Sequence, residues 1–185
     1  MINMAALGTP YPLFQQAYFV NDIEQSMKYW HDTFGAGPFS VTDHHVCDEF
    51  TYRGTPQEAD VSYAFGYLGD TMIQFISQHD ETPSIYRDMY QAGQEGYHHC
   101  AYLVTDFPAE RQRLIDLGLE PACELYANDV HASYFDTRHI NGGFTEIHGD
   151  PPHVLQTFAE WRRAHEIHRP GDSLIFRRKK GQRAK

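Results

Sequence analysis

Four ligand-type side chains, Gln15, Gln74, His99 and Glu146, interrupt segments that are otherwise largely apolar. Gln15 opens Gln15-Gln16-Ala17-Tyr18-Phe19-Val20-Asn21-Asp22, and His99 opens His99-Cys100-Ala101-Tyr102-Leu103-Val104-Thr105-Asp106. His99 stands 84 positions after Gln15, and at that offset Ala, Tyr, Val and Asp coincide. Gln74 lies within Met72-Ile73-Gln74-Phe75-Ile76, and Glu146 within Phe144-Thr145-Glu146-Ile147-His148. Burying one such polar group without a partner costs about 1–3 kcal/mol. Four of them at matched positions share one explanation, a single divalent metal ion. Simple hydrogen bonding inside a barrel is the alternative for Gln15 and Gln74, and a core histidine is the alternative for His99. Two amide oxygens, one imidazole and one carboxylate would leave a divalent ion with a residual charge near about +1, which favours Lewis acidity. Mixed oxygen and nitrogen donors suit Zn, Ni, Co, Mn or Fe.

The elements that must carry these residues repeat as well. Each first strand runs into an aspartate, Asp22 or Asp106, able to accept from the free N–H groups of a helix start. Ile23, Met27, Trp30 and Phe34 then fall on one helical face, and Gly35 and Gly37 end that helix. In the second copy Pro108 suits the first helical turn, Phe107, Leu114 and Leu117 supply the apolar side, and Gly118 closes it. Three strands follow each helix: Phe39–Thr42, Ser62–Leu68 and Thr71–Ser77, then Ala122–Ala127, His131–Asp136 and Gly143–His148. The order is strand, helix and three strands, twice. Between the copies, residues 82–91 are expected to form a short helix with Thr82 as its N-cap. Pro151 to about Ile167 is expected to form a terminal helix with Val154, Phe158, Trp161 and His165 on one face.

The chain has 185 residues, 41% of them apolar and 14% aromatic, enough for a packed interior. Its net charge is −10, yet six of the 15 Lys and Arg residues lie in the last nine positions. The rest therefore sets nine cations against 25 acids. That acidic body argues against a nucleic-acid partner. The basic tail could meet RNA or a membrane surface, although a frayed, solvated terminus is the simpler expectation. No stretch reaches the roughly 18 apolar residues of a membrane span. Cys47, Cys100 and Cys123 form no CxxC pair, which fits a reduced, cytoplasmic setting.

With the duplication, the Gly96-Tyr97-His98-His99…Asp106 stretch and the Gln74 and Glu146 strands in view, the sequence resembles the vicinal oxygen chelate superfamily of glyoxalase I, methylmalonyl-CoA epimerase and bleomycin-resistance proteins. The resemblance covers roughly residues 14–150. It implies an α+β fold of two tandem βαβββ modules forming a cupped mixed sheet, with an extra C-terminal helix. The modules are residues 12–92, including the connecting helix, and 96–150; the helix is 151–168 and the tail 169–185. The family's metal positions fall on Gln15, Gln74, His99 and Glu146. Its chemistry implies a metal-dependent isomerase, epimerase or lyase that removes a proton next to a carbonyl, with Glu146 as base. An extradiol dioxygenase would need His where Gln15 stands. Glu58 falls where the epimerase pattern has a second base, and Asp60 competes for that role. Substrate would be a small carbonyl compound or thioester, and the family's habit implies a homodimer. A non-catalytic protein sequestering an aromatic or antibiotic ligand is the other reading.

Several histidines read as structural. His98 should face away from His99 by strand alternation. His44 and His45, with Cys47, lie in a polar stretch and read as surface. His131, His139, His148, His153, His165 and His168 lack ligand-like spacing. Residues 78–91 and the helix from Pro151 are expected to set selectivity.

Overall fold

The computed structural model describes residues 11–127 and 129–177. Strand β1 (Leu13–Phe19) leads to helix α1 (Ile23–Phe34), then β2 (Phe39–Thr42), β3 (Glu49–Tyr52), β4 (Thr55–Pro56), β5 (Val61–Leu68) and β6 (Thr71–Gln78). The second half runs β7 (Gly96–Val104), α2 (Phe107–Asp116), β8 (Pro121–Ala127), β9 (Val130–Phe135), α3 (Arg138–Asn141) and β10 (Phe144–Gly149). Helix α4 (Pro152–Ile167) and strand β11 (Ile175–Arg177) follow. The expected α+β architecture is present, with the C-terminal helix in place.

Both helix starts form as their aspartates dictate. Asp22 accepts from the Gln25 N–H at 2.9 Å, and Asp106 from the Ala109 N–H at 3.1 Å. Gly35 closes α1 at φ 79°, a left-handed geometry that a residue without Cβ adopts cheaply.

One mixed sheet carries everything, in the order β11-β2-β5-β6-β1-β7-β10-β9-β8-β3-β4. Its centre shows the duplication directly. Strands β1 and β7 run antiparallel with Ala17 opposite His99 and Gln15 opposite Ala101. The 84-residue offset exchanges these two pairs, so a pseudo-twofold passes between them. Each central strand pairs in parallel with the last strand of its own half, Ala17 with Gln74 and Ala101 with Glu146. Helix α1 packs on one half through Met27, Phe39 and Phe75, and α2 on the other through Leu114, Phe135 and Ile147. A third cluster, including Phe19, Tyr63, Ile76, Tyr86, Tyr134 and Phe144, fills the concave side between the halves.

Three expectations need correction. Residues 82–91 form turns rather than a helix, because Ser84 rather than Thr82 does the capping. The Ser84 hydroxyl takes the Tyr86 and Arg87 N–H groups, and the following pair, Ile85 and Tyr86, is wholly buried. The polar stretch after β2 contains a hairpin, β3–β4, whose Arg53-Gly54 turn has φ of 47° and 75°. Its β3 pairs with β8 of the other half. The terminal segment, expected to be solvated, enters the sheet at β11, which pairs in parallel with β2. There Arg177 meets Asp43 and Glu24. The rest of the basic tail, residues 178–185, lies outside the described residues. Among the described residues no helix is long and apolar enough to cross a membrane.

Candidate metal centre

Residues opposite one another across a sheet share a face, and the central register therefore sets the four polar side chains in two rows. Gln74, Ala17 and His99 make one row, and Gln15, Ala101 and Glu146 the other. In each row a fully buried alanine separates two ligand-type residues. Only a methyl group stands between them, so the long side chains can close over it. Gln15, Gln74 and Glu146 are each 3% exposed and His99 is 0% exposed.

Their polar ends meet at one point. The Gln15 Nε2 group donates to Gln74 Oε1 at 2.9 Å and to Glu146 Oε2 at 3.4 Å, and lies 3.3 Å from His99 Nε2. His99 Nε2 and Glu146 Oε2 are 3.0 Å apart. A carboxylate only accepts, so without an ion His99 Nε2 donates to Glu146, and the two amide hydrogens of Gln15 serve the Gln74 and Glu146 oxygens. One nitrogen and two oxygens from three strands thus point to one place, as a cation that displaced the His99 Nε2 proton would require, and the donor set, imidazole with carboxylate and amide oxygens, suits a transition-series divalent ion. The residues present fit such an ion.

His98 is the residue the alternation argument misplaced. Between Ala17 and Tyr18, β1 advances one residue while β7 goes from His99 to Tyr97, a β-bulge at His98. The bulge turns the His98 ring alongside its neighbour, with His98 Nδ1 2.8 Å from His99 Nδ1 and His98 Nε2 3.2 Å from the Ile85 carbonyl. Tyr86 and Phe144 rings enclose it. Burial, and then the neighbouring His99, hold the His98 pKa well below the usual imidazole value, so the ring is neutral. A carbonyl only accepts, so His98 donates through Nε2 and accepts through Nδ1. His99 must then donate through Nδ1, which leaves its Nε2 facing Gln15 and Glu146. Fixing a ligand imidazole through its second nitrogen is the usual support of metal-binding histidines.

Burial opposes ionisation of Glu146, yet the hydrogen bond and charge of His99, aided by His148 and the Tyr134 hydroxyl, hold its carboxyl below the ordinary value. Tyr134 pays the reciprocal penalty: burial and then the Glu146 charge push its phenol well above 10. Glu58 joins none of this; it is exposed in the connection between β4 and β5. Asp60 instead pairs with His44 at 2.7 Å.

Aromatic side chains of α4 cover one side of the cluster. Trp161 stacks on Phe65 at 5.3 Å, Phe158 stacks on Phe14 at 5.6 Å, and Phe158 also meets His148. Phe65 is the register partner of Gln74, so this packing lies over the row that holds it. The clefts bounded by Tyr52, Ser84, Arg87 and Tyr90, and by Tyr18, Trp30, Leu68 and Ile73, include none of the four.

Paired β-α-β-β-β halves, the first with the β3–β4 hairpin added, around a central polar cluster define a class, and residues 14–135 match the glyoxalase/bleomycin resistance protein/dioxygenase superfamily. The chain belongs to that superfamily. Among solved structures it is similar to a methylmalonyl-CoA epimerase from Mycobacterium tuberculosis, at 17% identity and a TM-score of 0.52, covering 78% of this chain and 91% of that one. A methylmalonyl-CoA epimerase in complex with methylmalonyl-CoA and NH4+ aligns at 16% identity and a TM-score of 0.52, covering 77% and 96%. A hypothetical protein from Bacillus halodurans C-125 aligns at 16% identity and a TM-score of 0.55, also covering 77% and 96%. These likenesses establish the fold. No curated protein matches the sequence.

Proposed function

We propose that this protein is a metal-dependent isomerase, epimerase or lyase that removes a proton next to the carbonyl of a small carbonyl compound or thioester. The observation that carries the reading is the convergence of Gln74 Oε1, His99 Nε2 and Glu146 Oε2 on the Gln15 amide, in a site buried to within a few per cent. Gln15, Gln74, His99 and Glu146 would hold the ion, with Gln15 presenting its amide oxygen in place of its nitrogen. When bound, the ion would polarise a substrate carbonyl and stabilise negative charge developing on it. Glu146 is the base: it is the one carboxylate of the cluster, held ionised and oriented by His99 and Tyr134. His98 accepts the His99 Nδ1–H, so the proton that an ion would displace from His99 is the one on Nε2. The aromatic face of α4 and the turns around Ile85 exclude water, and substrate entry requires one of them to yield.

The test is metal content in tag-free protein beside the Gln74→Ala/Glu146→Ala variant, followed by proton exchange into carbonyl and thioester substrates in deuterated water. The reading expects the variant to lose one equivalent of metal, and Glu146→Gln to keep metal while losing exchange. Full exchange activity in Glu146→Gln with metal retained would falsify the assignment of the base. A second reading, a binding protein for aromatic ligands, draws on the Phe14, Phe65, Phe158 and Trp161 cluster. It expects tight ligand binding after metal removal, and no turnover.

A further inference from the structure

A second set of ligand atoms converges at the surface, on the other face of the sheet. His44 from the β2–β3 connection, Asp60 from the β4–β5 connection and His79, just past β6, bring a ring nitrogen, a carboxylate oxygen and a ring nitrogen within 4.8 Å of one another. His44 Nδ1 lies 2.7 Å from Asp60 Oδ1 and 3.0 Å from Oδ2. The two imidazole rings lie against each other with centroids 4.6 Å apart. Ser62 Oγ, 2.7 Å from His79 Nε2, adds a fourth polar group, and that serine is 2% exposed.

The backbone holds these groups in place. The Ser62 hydroxyl also takes the His44 N–H at 3.0 Å, and the His79 N–H donates to the Asp60 carbonyl at 2.8 Å. His44 has φ 48°, in the left-handed region that a residue with a Cβ adopts at a cost. A surface His–Asp pair contributes little to stability, so stability alone does not account for that conformation. Along β6 the side chains alternate: Gln74, Ile76 and Gln78 face the concave side, and Phe75 and Ser77 face α1. His79 continues the second set.

We infer that His44, Asp60 and His79 form a second metal site, for a zinc-class divalent ion such as Zn, Co or Ni, independent of the buried cluster. Two imidazoles and one carboxylate are a complete three-ligand set that leaves a coordination position for water or an external ligand. Two nitrogen donors out of three disfavour Mg and Ca, which take oxygen. The exposure of both histidines means that an ion reaches this site without any opening of the fold.

Cobalt(II) and zinc titrations of tag-free protein decide the matter, with bound metal counted after equilibrium dialysis and imidazole signals followed by NMR. The Gln74→Ala/Glu146→Ala variant is expected to retain one equivalent of cobalt, and cobalt should broaden the His44 and His79 signals. Loss of a supporting partner alone weakens metal sites about 10–100-fold, so His44→Ala/His79→Ala should lose at least about 100-fold in affinity at this site and one equivalent in stoichiometry. If the buried-cluster variant does not fold, the NMR response of the wild-type protein decides by itself. Unmoved His44 and His79 signals through millimolar cobalt, or undiminished uptake by His44→Ala/His79→Ala, would overturn the inference. If the proposed reaction fails but this site exists, wild-type protein still takes up one equivalent here.

Discussion

His98 Nδ1 lies 2.8 Å from His99 Nδ1 although the two residues are neighbours on one strand, where alternation should separate their side chains. The β7 bulge makes the contact possible, and Gly143 makes room for the bulge. A Cβ at Gly143 would sit 2.5 Å from the His98 carbonyl oxygen and 2.6 Å from the Tyr97 ring. The bulge thus converts a strand residue from a passive core histidine into the group that sets the tautomer of its neighbour.

Replacing His98 with Phe keeps a ring between Tyr86 and Phe144 but removes the acceptor of the His99 Nδ1–H. The buried N–H left unpaired is expected to destabilise the fold by about 1–3 kcal/mol. Metal affinity at the buried cluster is expected to fall by about 10–100-fold. The two effects separate experimentally: denaturant unfolding in a chelator reads the first, and metal titration of the folded variant reads the second. Unchanged metal affinity in a destabilised but folded variant would reduce His98 to a packing residue.

The two alanines that divide the polar rows are the least conspicuous part of the site. Ala17 lies between Gln74 and His99 in register and is wholly buried. Ala17→Val is expected to cost about 1–3 kcal/mol through overpacking, and to prevent the two long side chains from meeting. Loss of one equivalent of metal, that of the buried cluster, in a variant whose circular dichroism is unchanged is the expected result. Ala17→Ser, close in size, should keep uptake.

Much of this was legible in the sequence, and for identifiable reasons. The 84-residue offset that aligned Gln15 with His99 is the same offset that exchanges the pairs Ala17–His99 and Gln15–Ala101 across the sheet. A repeat unit folds the same way twice, so the meeting of four polar residues from first and last strands could be inferred from local pattern. The helix starts at Asp22 and Asp106 were equally local. What escaped depended on partners far along the chain. The His98 bulge is a mismatch between β1 and β7, visible in neither alone. The Arg53-Gly54 turn lacks the Asn-Gly signature of such hairpins. His44, Asp60 and His79 come together only because β5 pairs with both β2 and β6. Residues 82–91 misled because a capping serine, Ser84, organises a single turn as readily as a helix.

Acidification offers a test of how the hairpin is tied down. Asp136 accepts from Arg138 at 2.6 Å and from Arg53 at 3.3 Å, while Arg53 also reaches Asp88 at 2.7 Å. Hydrogen bonds from Arg138, with burial opposing and Arg53 assisting, hold the Asp136 carboxyl at about 2. A carboxylate whose folded pKa lies below its unfolded value, near about 3.9, stabilises the fold above that unfolded value. Its contribution disappears as pH falls from about 4 to about 2. Allowing for solvent screening it is on the order of 1 kcal/mol. Asp136→Asn is therefore expected to be less stable than the wild type at pH 5, with the gap closing toward pH 2. A gap that stayed constant over that range would locate the effect elsewhere than in the ionised carboxylate.

The sharpest separation between a metal site and a hydrogen-bonded polar core comes from Gln15→Glu. In a purely hydrogen-bonded core the Gln15 Nε2 group is the donor to Gln74 and Glu146. A carboxylate in its place adds a second negative charge beside Glu146, in a site 3% exposed, and removes the donor. In chelator the variant should therefore lose several kcal/mol, on the order of 3–5, as expected of an uncompensated buried charge. With a divalent ion present the gap should narrow, because the new carboxylate is a stronger ligand than an amide oxygen. An ion at about 100 times its dissociation constant stabilises the folded state by about 2.7 kcal/mol. The metal-induced rise in melting temperature should then be larger in Gln15→Glu than in the wild type. Melting curves of both proteins, in chelator and in excess zinc or cobalt, measure this directly. A core that holds no ion would show the destabilisation in both conditions alike.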